Sequence, residues 1–124
     1  NLHTYIPLVS AKRRDTLMNG IPEINSPLHE EFTNQVKLEP FRRAMKDFMP
    51  EIWLTAIRKE QTAFRKNLDI VTMDEKGITK VAPLFYFDEQ YLKNYLAENS
   101  LPDEQDYYDP TKVLNNRECG LHKL

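Results

Sequence analysis

A segment bracketed by prolines restricts the fold of this chain more than any other. Between Pro40 and Pro50, Phe41, Ala44, Met45 and Phe48 recur at i, i+3, i+4 and i+7, the spacing that lines one face of an α-helix. Proline fits the first turn of a helix but cannot continue one, so both ends of the element are set. Glu51 to Ile57 follows at once as a short apolar run and reads as a buried strand, with Trp53 supplying core area. Leu68 to Met73 and Ile78 to Leu84 read as two further strands joined through the turn Asp74-Glu75-Lys76-Gly77. Asp88 is placed to cap a helix reaching about Glu98, whose Tyr91, Leu92, Tyr95 and Leu96 form a core-facing side. Towards the start, Leu2 to Leu8 has strand composition, Ser10 caps a short helix through Asn19 with Gly20 as its stop, and Ile21 to Asn34 reads as a loop. Four short strands interleaved with two or three helices predict an α/β fold.

Composition narrows the function classes. With 29% charged residues and a net charge of −2, the chain lacks the basic excess of a general nucleic-acid binder. It has no apolar run near the roughly 18 to 20 residues needed to cross a bilayer, and the expected setting is cytoplasmic with no membrane partner. Its single cysteine cannot form an internal disulfide, and with three isolated histidines it does not make a metal set, so no metal is expected. Arg42 and Arg43 fall mainly off the apolar face of their helix and read as solvated surface.

That cysteine lies in the final stretch, Arg117-Glu118-Cys119-Gly120-Leu121-His122-Lys123-Leu124. A cysteine attacks as its thiolate, which cationic neighbours favour, and Cys119 has Arg117 before it and His122 after it. On spacing alone it reads either as a nucleophile or as a small residue in a tail. A second cationic group lies further back: Arg58, Lys59, Glu60, Gln61 and Arg65 follow a strand, where open α/β sheets tend to bind ligands.

Glu118-Cys119-Gly120-Leu121-His122 resembles the C-terminal signature of the phosphoadenylyl-sulfate (PAPS) reductases and their adenylyl-sulfate relatives. Lys37-Leu38-Glu39-Pro40 resembles that family's Lys-Val-Glu-Pro element, and Trp53 to Arg65 resembles its Trp-x-x-Gly-x-Arg-x-x-Gln-Ser-x-x-Arg block, with Ala56 for the glycine and Thr62 for the serine. Asn116 stands where a lysine often precedes the Arg-Glu-Cys triplet, and the segment Asp103 to Leu114 is shorter than in the family. The resemblance implies part of a mostly parallel sheet with flanking helices, of the adenine-nucleotide hydrolase-like type, without its N-terminal portion and phosphate-binding loop. It implies residues 1–116 as the C-terminal part of the domain and 117–124 as a mobile catalytic tail.

The implied reaction is reduction of PAPS to sulfite and adenosine 3′,5′-bisphosphate in sulfate assimilation and cysteine biosynthesis. Cys119 would attack, assisted by Arg117 and His122, while Lys37, Arg58, Gln61 and Arg65 would bind substrate. Thioredoxin or glutaredoxin would be the reductant, no iron-sulfur cluster is expected, and the enzyme would be a homodimer. Taken alone, the 124 residues are expected to be inactive. A divergent nucleotide-binding relative and a thiol-based redox module would use the same residues.

Overall fold

Ser10 and Asn19 bound the first helix by the chemistry read from the sequence. In the computed structural model, which describes residues 1–104, 108–112 and 121, α1 spans Ala11–Met18. The Ser10 hydroxyl accepts the Arg13 N–H, satisfying one of the donors a helix start leaves open. Asn19 and Gly20 both take positive φ, 54° and 93°, and close the helix.

Of the stretch expected to be mostly loop, Ile21 to Asn34, the part before Pro27 is irregular and the rest is helical. Ser26 accepts the His29 N–H and Pro27 occupies the first turn of α2, Pro27–Thr33. The proline that reads as a breaker is thus a starter, its fixed φ and missing N–H costing nothing there. A π-helical turn, Asn34–Leu38, leads into α3, Glu39–Phe48, which ends at Met49 with φ 44° just before Pro50.

Leu2 to Leu8 forms no strand. Among the described residues it has no ladder partner and lies instead along α3. Tyr5 donates its hydroxyl to Asp47 (3.0 Å), Arg43 donates to the Ile6 carbonyl (2.6 Å), and the Arg43 guanidinium stands 5.4 Å from the Tyr5 ring centre. Arg43 is therefore not simply solvated: it also pairs with Glu39 one turn back, at 2.8 Å. These residues belong to a unit formed by Asn1–Met49 with the described part of Asp109–Leu124. Met18, Phe32 and His29 are among its buried side chains, and Arg14 stands 5.6 Å from the Phe32 ring centre.

The second unit, Pro50–Tyr108, contains the sheet. Strands β1 (Ile52–Leu54), β2 (Val71–Met73) and β3 (Thr79–Val81) lie in the order β1-β3-β2, with β1 parallel and β2 antiparallel to β3. The Asp74 carboxylate accepts the Lys76 and Ile78 N–H groups, and Gly77 takes φ 82°, fixing the hairpin read from the sequence. Helix α4, Glu89–Glu98, begins where Asp88 accepts the Tyr91 N–H. The fold is α/β, with a mixed three-stranded sheet and helices among the described residues.

Three of the burial expectations fail. Ile52 and Leu54 on β1 are 60% and 68% exposed, sharing one sheet face with exposed Val71 and Met73. Tyr91 and Tyr95 are each about half exposed, and Phe87 stacks on Tyr91 at 4.4 Å. Trp53 is half-buried, its ring covered by the Lys80 ammonium at 5.3 Å. The core lies instead just beyond the strands, where Ile57, Ala82 and Phe85 pack with Leu68 and Ile70. Of the four strands expected, three form among the described residues.

Removing the central ring of that core should be costly, and trimming the exposed face should not. Phe85→Ala is expected to destabilise the Pro50–Tyr108 unit by about 3 to 5 kcal/mol. Ile52→Thr should stay within about 0.5 kcal/mol. Urea unfolding monitored at Trp53 tests both.

Candidate active site

Two segments leave the carboxyl ends of the parallel pair β1 and β3 side by side. After β1 the chain runs through buried Ile57 and Arg58 into a 3-10 turn, Lys59–Gln61. After β3 it passes Ala82 and Phe85 to reach Asp88 and α4. The Lys59 N–H donates to the Phe85 carbonyl at 2.8 Å and ties the two segments together. Carboxyl ends of strands are where open α/β sheets place ligands, because the connecting loops converge there.

The turn brings three of the residues read from the sequence into one cluster. The Gln61 side-chain oxygen accepts the Arg58 backbone N–H (3.1 Å) and is also a partner of the Arg65 guanidinium. Gln61 thus holds both arginine positions in register. Thr62 accepts the Arg65 N–H at 3.2 Å through its hydroxyl. It replaces the serine of the related block without losing that acceptor, which both residue types provide. Arg65 and Arg58 are both buried.

Arg58 itself is held by two carboxylates. Its guanidinium donates through one terminal nitrogen to Glu60 (2.6 Å) and through the other to Glu89 (2.5 Å) at the start of α4. The hydrogen bond from Arg58, and then its charge, hold the Glu89 carboxyl below its ordinary range. Next to this fork a cleft of about 330 Å³ is lined by Lys59, Glu60, Lys66 and the run Phe85 to Asp88, with the Lys59 ammonium 5.4 Å from the Tyr86 ring centre. Two lysines and two carboxylates share the cleft, and its aromatic run offers a surface on which a flat ring can stack.

Lys37 lies in the other unit, where it pairs with Asp109 at 2.5 Å. Burial raises the Asp109 carboxyl, but hydrogen bonds from Lys37 and from the Thr111 hydroxyl and N–H, with the charge of Lys37, outweigh it and leave it below its ordinary value of 3.8. Arg117, Cys119 and His122 lie outside the described residues, as does the division drawn at Arg117. Among the described residues no group of three His, Cys, Asp or Glu side chains is placed to hold a metal.

Sequence reasoning missed Glu89, Asp109 and the role of Thr62. Glu89 looks like an ordinary acidic first-turn residue, and nothing in its spacing announces a partner 31 positions earlier. Asp109 sits in an acidic stretch without periodicity.

Comparison with known proteins gives a consistent picture. The model of the phosphoadenosine phosphosulfate reductase domain matches residues 3–109. A phosphoadenosine 5′-phosphosulfate reductase of Escherichia coli O157:H7 is 29% identical over 82% of this chain and 41% of its own length. One from Shigella flexneri serotype 5b is 28% identical over 99% of this chain and 59% of its own length. Among solved structures, the phosphoadenylyl-sulfate reductase of Candida auris, a phosphate complex, superposes with a TM-score of 0.65 at 28% identity, covering 82% of this chain and 48% of that one. The chain therefore spans about half the length of the relatives it matches.

The Lys37–Asp109 pair generates a prediction with a definite sign. A carboxyl held low in the folded state adds stability that is complete above its unfolded pKa and is lost as pH falls through the lower folded value. The pair's contribution should therefore be intact above about pH 4 and decline below it. Asp109→Asn should cost about 1 to 3 kcal/mol at neutral pH. It should also flatten the acid limb of a plot of unfolding free energy against pH.

Proposed function

Because the chain belongs to the phosphoadenosine phosphosulfate reductase domain family, we propose that it supplies the C-terminal part of an enzyme that reduces PAPS to sulfite and adenosine 3′,5′-bisphosphate. The observation that carries this reading is the cluster of Arg58, Gln61 and Arg65 at the carboxyl end of the parallel strands. PAPS is polyanionic, and a thiolate can approach it only where cations offset the repulsion. Arginine suits the task because its planar donor fork can hold two phosphate or sulfonate oxygens at once. Lys37 is proposed as a further substrate cation, with Asp109 as the partner it exchanges.

In the proposed chemistry the Cys119 thiolate attacks the sulfonyl sulfur, and the bond from that sulfur to the phosphate oxygen breaks. Adenosine 3′,5′-bisphosphate leaves with the electron pair, and the cysteine becomes an S-sulfonate. Arg117 and His122 favour the thiolate and steady the sulfonyl oxygens. A thiolate of reduced thioredoxin or glutaredoxin then attacks the cysteine sulfur, sulfite departs with the bonding pair, and the carrier's second thiol resolves the mixed disulfide. The dithiol supplies both electrons, and the route uses no iron-sulfur cluster. The lone cysteine in this chain supports that choice.

A cytoplasmic setting is proposed with it, since the reductants work in a reducing compartment; among the described residues no helix is long and apolar enough to cross a membrane. We propose a homodimer as the assembly, supported by the apolar sheet face of Ile52, Leu54, Val71 and Met73. Catalysis is proposed for the polypeptide that joins these residues to the rest of the domain, because binding energy from the whole nucleotide is what aligns sulfur and thiolate.

The test uses the chain alone and the chain placed behind the N-terminal portion of a curated relative. The joined protein should release sulfite from PAPS with thioredoxin, and the 124 residues alone should release none. In the joined protein Cys119→Ser should abolish sulfite release and leave nucleotide affinity nearly unchanged. Arg58→Ala or Arg65→Ala should weaken nucleotide binding by about 1.5 to 3 kcal/mol each. Normal affinity in both arginine variants would remove them from the site.

A further inference from the structure

Both terminal nitrogens of Arg58 already hold carboxylates. Glu60 and Glu89 each take one N–H of a terminal nitrogen, so a substrate anion that takes either of those two donors must displace a carboxylate. The two glutamates are not equivalent. Glu60 belongs to the same turn as Arg58 and moves with it. Glu89 comes from α4, 31 positions along the chain, and joins two separate elements.

Exposure decides which member of the Arg58–Glu89 pair can leave. The Arg58 side chain is 10% exposed and that of Glu89 60%. A guanidinium at that depth is fixed, while an exposed carboxylate can rotate into water with little desolvation cost. Lys93, one turn along α4 and 3.7 Å from the other Glu89 oxygen, keeps a counter-charge beside the carboxylate after release.

We propose that Glu89 is a built-in competitor for the anion site at Arg58, its carboxylate occupying the donors that a phosphate or sulfonate oxygen of the substrate takes. This rests on the reading of Arg58 as a substrate cation. The consequence is a threshold. Displacing Glu89 lowers the affinity of every anion that uses these donors by the same factor, and a polyanionic nucleotide keeps useful binding through its other contacts while a small free anion does not. Glu89 thereby keeps weakly held inorganic anions out of the site.

The experiment measures binding of inorganic pyrophosphate and of adenosine 3′,5′-bisphosphate to the 124 residues joined behind the N-terminal portion of a curated relative. The Arg58 Nε–Hε NMR signal reports binding, and thermal midpoints are recorded in parallel. Glu89→Gln, which removes the charge and keeps the shape, is expected to tighten pyrophosphate binding about 3- to 10-fold, the upper end corresponding to about 1.4 kcal/mol. Glu89→Asp should stay closer to the parent, and the gain should vanish in an Arg58→Ala background. A lower thermal midpoint with unchanged or weaker anion binding in Glu89→Gln would show a structural staple and overturn the proposal. If pyrophosphate tightens but no variant binds the nucleotide, the competitor stands and the nucleotide reading fails. If the nucleotide binds parent and Glu89→Gln equally, the competitor is overturned and the nucleotide reading stands.

Discussion

The Pro50–Tyr108 unit depends on satisfying a buried guanidinium. Arg58 sits where β1 gives way to the turn, and a charge at that depth is tolerated only with partners. Glu60 and Glu89 supply them, and in doing so join the turn to the first residue of α4. The Lys59 to Phe85 backbone bond and the Ile57, Ala82 and Phe85 core hold the two segments close enough for the pairing to form. Since both carboxylates are substantially exposed, each contact by itself is worth at most about 1 kcal/mol. The arrangement therefore rests on the core for its stability and on the ion pairs for its geometry.

The same geometry sets the terms on which this cluster can bind an anion. Arg58 holds carboxylates, Arg65 is engaged by Gln61, and in the other unit Lys37 holds Asp109. An anion that takes the donors these partners hold does so by exchange. Exchange lowers the affinity of any anion by the same factor, and only one with many other contacts keeps useful binding after that loss.

Local signals were legible in the sequence wherever the chemistry was local. Ser10 and Asp88 cap their helices, Pro50 follows the close of α3, and Asp74 and Gly77 make the hairpin, each through local chemistry, whereas the start expected at Pro40 is overrun by the helical turns before it. The grouping of Arg58, Gln61 and Arg65 was readable for the same reason, since the three lie close in sequence and Gln61 bridges the other two. Burial was not readable. Leu2 to Leu8 has the composition of a strand but lacks a neighbouring edge among the described residues, so it settles on α3 through Tyr5 and Ile6. The β1 side chains and Tyr91 have the right polarity for a core, yet what covers them is a tertiary matter that periodicity does not encode. Glu89 was invisible because its importance comes from a partner on another element.

The central claim is that the arginine cluster presents the sulfonyl group of PAPS to Cys119. It is tested most directly by exposing the joined protein to PAPS without any reductant and locating the covalent product by mass spectrometry of its peptides. The account predicts an added sulfonate on Cys119, formed together with adenosine 3′,5′-bisphosphate, lost as sulfite when reduced thioredoxin is supplied, and diminished when Arg58 and Arg65 are replaced by alanine. Nucleotide binding with Cys119 left unmodified, or a sulfonate found on another residue, would contradict it.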